Sequence, residues 1–294
     1  MRNRSAAGAP GRRGDAEDTA GRDPRRRPAA VVRAFAPAGP GRHAVVAWAR
    51  RQARRTGARL ELLVEPPPDE PDAPRGGPVG LLARLVRPVL APVVGASSLA
   101  DRLARAAAGS GMLVVPQRLA GVDELVDAAY EPVAVIPDEP THTHGPVVLA
   151  LAPRTADEAV ATAFAAAAHR GSPLLAVRLR APSPWTLEAP VGGDPFDDTP
   201  DDEGEYWRDR LAAWRVIHPE VPVEVQVAEG DPALALVDLS ARARLLVLGR
   251  SARGRVLASV AASPVGAVTL RARCPVLVVP PPGPPRRSWW PRSS

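Results

Sequence analysis

Two apolar runs that flank a small-residue loop and a helix constrain the fold of this 294-residue chain more than any other feature. Leu245–Leu248 leads into Gly249 and a basic loop, a helical segment follows, and Val276–Val279 closes the stretch. Short continuous apolar runs flanked by glycine and proline are typical of strands buried on both faces of a parallel sheet. The stretch therefore predicts a strand–loop–helix–strand unit whose loop aims backbone N–H groups at an anion, usually phosphate.

The same stretch resembles the end of a universal stress protein domain, which has a strand, a Gly-x2-Gly-x9-Gly-Ser/Thr loop, a helix and a CPVLVV-type strand. Gly249 stands at the first of the three glycines, and Ser263 stands at the hydroxyl position. The other two glycine positions hold Ala252 and Ala262, while Cys274–Val279 matches the closing strand. The resemblance implies an α/β fold of the adenine nucleotide alpha hydrolase type, with a degenerate nucleotide-binding motif.

The order of predicted strands and helices occurs twice, which indicates an internal repeat. Thr56–Leu60 corresponds to Arg170–Leu174, and Pro132–Pro137 corresponds to Pro275–Pro280. We therefore predict two tandem universal stress protein-like domains, each a doubly wound, mostly parallel five-stranded sheet with helices on both faces. The predicted limits are 1–28 for a disordered tail, 29–137 for a degenerate first domain, 138–145 for a linker, 146–280 for the second domain and 281–294 for a flexible tail.

Two predicted elements lie next to long loops that are rich in proline or acidic residues. The third strand of the first half is predicted at Pro88–Val94. In the second half the proline- and aspartate-rich loop is predicted at Ala181–Gly204, so the next helix is expected at Glu205–Ile217. Gly57 and Gly171 each follow a helical stretch and are predicted to end it, since glycine favours the position after a helix.

The nucleotide site implied by the resemblance lies in the second half. Phosphate would meet the loop backbone and one hydroxyl, at Gly249, Ser251, Ala252, Arg253, Gly254, Ala262 and Ser263. Val177 stands near the family's adenine contact, and Ala152 occupies the position of the family's aspartate. Arg250, Arg253 and Arg255 are further candidates, because guanidinium pairs well with phosphate.

The first half is shorter where a phosphate loop would lie. From Pro116 to Pro132 the chain advances 16 residues, whereas from Gly249 to Pro275 it advances 26. The shorter segment, Gln117–Glu124, contains one glycine and two acids. Because acids repel a triphosphate, the first half is not expected to bind nucleotide.

The basic residues of the chain, 38 in all, are arginines without exception. The lack of lysine excludes a Walker-type phosphate loop and Schiff-base catalysis. Eight arginines precede Pro28, and the others do not cluster with aromatic residues, so no nucleic-acid partner is expected. One cysteine fits a reducing compartment, and Arg84 and Arg87 interrupt the best apolar run. We therefore expect a cytoplasmic protein that does not enter membranes.

Other conspicuous residues are assigned to structure rather than to chemistry. His142 and His144 form an H-x-H pair in the linker, for which a plain linker is the favoured interpretation over a metal site. The acidic residues between 194 and 202 lack the ligand spacing of a calcium loop, which favours a solvated loop. Cys274 is expected to pack in the core. We predict no catalytic residue and no metal site.

The leading functional hypothesis is a non-catalytic, cytoplasmic stress-response regulator whose second half is the candidate binder of ATP. The competing hypothesis is a nucleotide-free interaction or dimerisation scaffold, because Ala152, Ala252 and Ala262 depart from the family pattern. A slow ATP hydrolase ranks last, since no general base is evident near the loop. The resemblance also implies a dimer-like pairing, either of the two halves within one chain or of two chains in a homodimer.

Overall fold

A computed structural model describes residues 30–64, 86–88, 98–139, 144–180, 202–250 and 264–282. Its strands are β1 (Val31–Phe35), β2 (Arg59–Val64), β3 (Val86–Pro88), β4 (Met112–Pro116), β5 (Val133–Ile136), β6 (Val147–Leu151), β7 (Leu174–Arg180), β8 (Val223–Glu229), β9 (Leu245–Gly249) and β10 (Val276–Val279). Its helices are α1 (Arg42–Thr56), α2 (Leu99–Ala107), α3 (Val122–Ala128), α4 (Asp157–Ala168), α5 (Glu203–Ile217), α6 (Pro232–Ser240) and α7 (Pro264–Arg271).

The described strands form one ten-stranded sheet in the order β3-β2-β1-β4-β5-β10-β9-β6-β7-β8. Five neighbouring strands come from the first half of the chain and five from the second. Pairing is parallel within each half and antiparallel between β5 and β10. The predicted α/β class with mostly parallel, doubly wound halves is confirmed. The halves are joined edge to edge into one continuous sheet.

The central strands are apolar throughout because helices cover both faces of the sheet. β4, β5 and β10 are buried along their whole length. Along β9, Val247 packs into the core beneath α1, α4 and α5, and Leu248 packs into the core beneath α2, α3, α6 and α7. Alternate side chains point to opposite faces, so one apolar run serves two cores.

An approximate twofold axis relates the two halves. In the antiparallel pair, Leu277 of β10 lies opposite Ala134 of β5, and these residues are equivalent in the repeat. Val276 lies opposite Val135, and Val278 lies opposite Val133, which completes a symmetric register. The two halves are thus paired edge to edge within this chain. A homodimer of two chains, the other pairing that the resemblance implies, stays a prediction.

The structure corrects two predicted boundaries. β3 begins at Val86 rather than at the predicted Pro88, and residues 89–94 of the predicted strand lie outside the described part. An edge strand tolerates a charged residue and a proline, because one side of its ladder has no partner strand. α5 begins at Glu203 rather than at Glu205, because the Asp202 carboxylate accepts the backbone N–H of Glu205 and caps the helix.

The predicted helix stop is confirmed at Gly57, the C-cap of α1, whereas α4 ends at Ala168 with His169 as its C-cap, two residues before Gly171. Gly57 and Gly171 have φ values of +64° and +56°, in the left-handed region that favours glycine. The tail predicted at 1–28 lies outside the described residues, as do residues 283–294 of the tail predicted at 281–294 and residues 181–201. No helix in the described ranges is both long enough and apolar enough to cross a membrane.

Candidate functional site

A cavity of about 280 Å³ opens at the carboxyl ends of β6, β7 and β9. The chain runs from β6 to β7 on one side, whereas β9 lies on the other side of β6, so this is the topological switch point of the second half. Doubly wound sheets bind ligands in such crevices. The lining is mostly apolar and includes Ala150, Val177, Leu179, Leu236, Leu248 and Val265.

The loop after β6 brings no charge to the cavity. Ala152 lines it with a methyl group and backbone, at the position where the resemblance implies an aspartate. The Ala152 N–H donates to Thr155 Oγ1 at 2.7 Å, and the Thr155 N–H donates to the Ala152 carbonyl at 2.8 Å. A guanidinium N–H of Arg210 donates to the Thr155 carbonyl at 2.7 Å. These bonds hold the loop in one conformation before α4 begins.

β7 contributes one apolar and one charged residue to the lining. Val177 is buried and offers the flat, apolar contact that a base would need. Arg178 also lines the cavity, but its Nε donates to Glu203 Oε1 at 3.0 Å and its Nη1 donates to the Leu179 carbonyl at 2.9 Å. The charge of Arg178 is therefore already balanced by a buried carboxylate.

The first residue of the predicted phosphate loop is placed by a close packing contact. Gly249 lines the cavity, and its φ lies outside the left-handed region. A Cβ at this position would lie 3.3 Å from the Cβ of Ala159 on α4, so glycine lets the helix approach the end of β9. The other predicted phosphate contacts, Ser251, Ala252, Arg253, Gly254, Ala262 and Ser263, lie outside the described residues, as does Arg255.

Arg250 has a role that the sequence did not reveal. Its guanidinium donates to the Val126 carbonyl and, at 2.7 Å, to the Ala129 carbonyl. Both carbonyls belong to the C-terminal end of α3, in the first half of the chain. Arg250 therefore satisfies carbonyls that a helix end leaves without partners, and it ties the loop after β9 to the other half.

Gln117 makes the equivalent contact from the first half to the second half. It follows β4 as Arg250 follows β9, and its Nε2 donates to the carbonyls of Thr269 and Ala272, both at 2.9 Å. Those carbonyls lie at the end of α7, in the second half. The repeat alignment offered a signal for this exchange, since a long hydrogen-bond donor stands directly after the fourth strand of each half.

The first half also lines the cavity of the second half. Asp127, near the end of α3, belongs to the lining together with Arg250. Nothing in the local sequence pattern indicated this, because residues 127 and 250 are far apart along the chain and meet through the β5–β10 pairing. The cavity thus has one wall from each half.

The remaining candidates fit structural roles. Burial raises the pKa of Cys274 to about 12, which keeps the thiol protonated. Trp207, a residue of α5 itself, is also buried in the core. Among the described residues, no three His, Cys, Asp or Glu side chains gather closely enough to hold a metal ion. His142 and residues 194–201 lie outside the described part.

The fold and cavity define the second half as a doubly wound α/β domain with a ligand crevice at its switch point. Residues 144–280 match the family model described as the universal stress protein family. A curated relative, universal stress protein Rv2005c of Mycobacterium tuberculosis (strain ATCC 25618 / H37Rv), is 35% identical over 163 residues. That match covers 52% of this chain and 53% of the relative. Residues 144–280 are therefore similar to the universal stress protein family over slightly less than half of the chain.

The chain spans about half the length of the curated relatives it matches. A solved universal stress protein from Archaeoglobus fulgidus DSM 4304 has the same fold across both halves, with 13% identity, a TM-score of 0.56, and coverage of 85% of this chain and 96% of that one. A smaller Archaeoglobus fulgidus structure, determined in complex with dAMP, is 23% identical and covers 47% of this chain and 99% of its own, with a TM-score of 0.31.

Proposed function

We propose that residues 144–280 bind an adenine nucleotide, with ATP as the ligand, and that the chain is a non-catalytic cytoplasmic regulator of the stress response. The observation that supports this proposal is the apolar cavity at the switch point, whose edge leads through Gly249 into the predicted phosphate loop. The match of residues 144–280 to a family of stress proteins supports the regulatory role.

The size and lining of the cavity suit the base and sugar rather than the whole nucleotide. At about 280 Å³ the cavity is slightly smaller than typical ligand sites, which have volumes of about 300–1,000 Å³. The apolar side chains of Val177 and Leu236 would contact the base. The phosphates would extend toward residues 251–263, whose spacing matches the family loop.

Calorimetric titration of the full chain with ATP tests the proposal, with a variant that fills the cavity. Ala150 lines the cavity and is half-exposed. Ala150→Leu therefore adds three carbons that occupy the cavity itself and need not push aside buried side chains. We expect this variant to lose at least tenfold in affinity for ATP. Ala161→Leu is the matched control, because Ala161 is half-exposed on α4 and does not line the cavity.

Two results would overturn the nucleotide proposal. One is the lack of binding heat at millimolar ATP with protein that is folded by circular dichroism. The other is an equal loss of affinity in the two leucine variants, because the effect would then not come from the cavity. A phosphate-release assay addresses the non-catalytic part, since steady release above buffer would make the protein a hydrolase.

A nucleotide-free scaffold is the second candidate, and two observations favour it. Ala152 supplies no carboxylate to a ribose, and Arg250 donates its N–H groups to helix carbonyls instead of pointing them freely at the cavity. In that case the switch point would serve only to join the halves. Ala150→Leu would then leave every binding property unchanged, whereas Arg250→Ala would loosen the pairing of the halves.

A further inference from the structure

Four arginines converge at the end of the sheet opposite the cavity. We name Arg51, Arg55, Arg170 and Arg244 the arginine cluster. Arg51 and Arg55 lie one turn apart at the end of α1, Arg170 follows the end of α4, and Arg244 immediately precedes β9. The cluster therefore takes one helix from the first half and two segments from the second half.

Arg170 is the buried centre of the cluster, with 8% of its surface exposed. Its Nη2 donates to Gln52 Oε1 at 2.8 Å, and its Nη1 donates to the Ala166 carbonyl at 3.1 Å. Its guanidinium lies over the ring of Trp48, 5.9 Å from the centroid. Gln52 and Trp48 belong to α1, so this side chain is fixed between the two halves.

The other members of the cluster surround this fixed charge. Arg244 Nη1 donates to the Arg170 carbonyl at 2.9 Å and to Ser172 Oγ at 3.1 Å. Burial lowers the pKa of Arg170, and the charges of Arg55, Arg244 and Arg51 lower it further. Burial, Arg244 and Arg51 also lower the pKa of Arg55. The charges of Arg51, Arg55 and Arg244 therefore repel that of Arg170, and those of Arg51 and Arg244 repel that of Arg55.

No negative side chain balances these four charges in the described part of the chain. Every acceptor described for Arg170 and Arg244 is a neutral amide, carbonyl or hydroxyl oxygen. None of the ion pairs among described residues includes a member of the cluster. The C-terminal ends of α1 and α4 supply about half a negative charge each, which leaves an excess of about three positive charges.

We propose that the arginine cluster binds a polyvalent oxyanion of the oligophosphate class at the seam between the two halves. Guanidinium groups pair with phosphate oxygens through parallel N–H donors, and a ligand with several negative charges matches the excess. Bound there, the anion relieves the mutual repulsion and contacts both halves. The site is separate from the cavity and does not depend on nucleotide binding.

Inorganic tripolyphosphate is the probe, added to the full chain at constant ionic strength. The test variant is Arg55→Gln with Arg244→Gln, because both positions are half-buried and each keeps a polar side chain. The matched control is Arg54→Gln with Arg242→Gln, which removes the same charge from exposed positions one and two residues away. We expect tripolyphosphate to raise the melting temperature of the wild type and of the control. In the test variant the affinity for tripolyphosphate should fall about tenfold, because charged hydrogen bonds at partly exposed sites are lost.

Three outcomes would overturn the site. They are a melting-temperature rise no larger than that produced by sodium chloride at equal ionic strength, an equal loss of affinity in both double variants, and loss of the response in Ala150→Leu. If Arg244→Gln prevents folding, Arg51→Gln with Arg55→Gln replaces it on the surface of α1, with the same tenfold loss expected. Retention of full affinity in that variant also contradicts the proposal.

Discussion

Ala152 lies at the end of β6, beside the cavity, and is exposed. The resemblance implies an aspartate at this position. We expect Ala152→Asp to bind ATP about tenfold more tightly, because a carboxylate accepts hydrogen bonds from sugar hydroxyls at about 1.5 kcal/mol or more each. Calorimetric titration against wild type measures the gain.

Pro153→Asp is the control for this gain, since it adds the same charge at an exposed neighbouring residue. It should leave ATP affinity unchanged or weaken it slightly through repulsion of the phosphates. If Ala152→Asp also weakens binding, the nucleotide does not place its sugar at the end of β6.

Cys274 provides a second test at a single residue. Its pKa is raised to about 12 by burial, so at pH 8 almost none of it is the reactive thiolate. We expect iodoacetamide to label the native protein at least about a hundredfold more slowly than the protein in concentrated urea. Because the folded pKa exceeds the ordinary value of 9.0, the stability contributed by Cys274 is present below pH 9 and is lost as the pH rises toward 12.

An exposed cysteine in the same protein is the control for this labelling. Cys274→Ala with Ala212→Cys carries its one thiol on the exposed face of α5. That variant should label at similar rates with and without urea. Fast labelling of native wild-type protein would show that the core around Cys274 opens readily.

At the scale of elements, the start of α6 depends on a side-chain cap. The Asp231 carboxylate accepts the backbone N–H of Leu234 at 2.9 Å, and Pro232 occupies the first turn. Asp231→Ala should lower the free energy of unfolding by about 1 kcal/mol, the usual cost of losing a helix cap. Urea denaturation followed by circular dichroism gives the value.

Asp238→Ala is the comparison on the same helix. Asp238 is exposed near the C-terminal end, where a negative charge opposes the helix dipole, so its removal should be neutral or slightly stabilising. Equal destabilisation by both variants would mean that the cap does not hold α6 at its start.

The strands were predictable where burial on both faces produces uninterrupted apolar runs. Val276–Val279 and Leu245–Leu248 are such runs, and both are strands in the structure. The start of β3 was predicted two residues too late because Val86, Arg87 and Pro88 do not form such a run. The start of α5 depended on one carboxylate, that of Asp202, which the surrounding acidic residues concealed.

The candidate site was predictable only in part, because part of it comes from the other half. Gly249, Val177 and Ala152 line one cavity, as their positions at strand ends suggested. Asp127 lines the same cavity, and Arg250 donates to carbonyls of α3. Those contacts require the pairing of β5 with β10, and a periodic pattern within one half carries no information about which edges meet.

At the scale of the whole molecule, the halves are joined in three layers. β5 pairs with β10 in the sheet, Gln117 and Arg250 cross the seam on one face, and Arg170 donates to Gln52 on the other face. Separation of the halves would expose the β10 edge and leave buried helix carbonyls without donors.

We therefore expect residues 144–282, expressed alone, to form a homodimer through β10. The symmetric register around Leu277 allows a second β10 to replace β5 with the same spacing. Sedimentation equilibrium should give twice the mass of the fragment. A folded fragment that remains monomeric at high micromolar concentration would contradict this.

Gln117 and Arg250 each donate to carbonyls at the end of a helix in the other half, which gives the shorter first half a structural role. Each half supplies hydrogen-bond donors to the end of a helix in the other half, so removal of either half would leave helix carbonyls without those donors. Covalent tethering supplies the other half at a fixed one-to-one ratio and at high effective concentration. With both halves on one chain, the sequence of one half can diverge while the pairing is kept. The two halves then pair as the two different subunits of a heterodimer would.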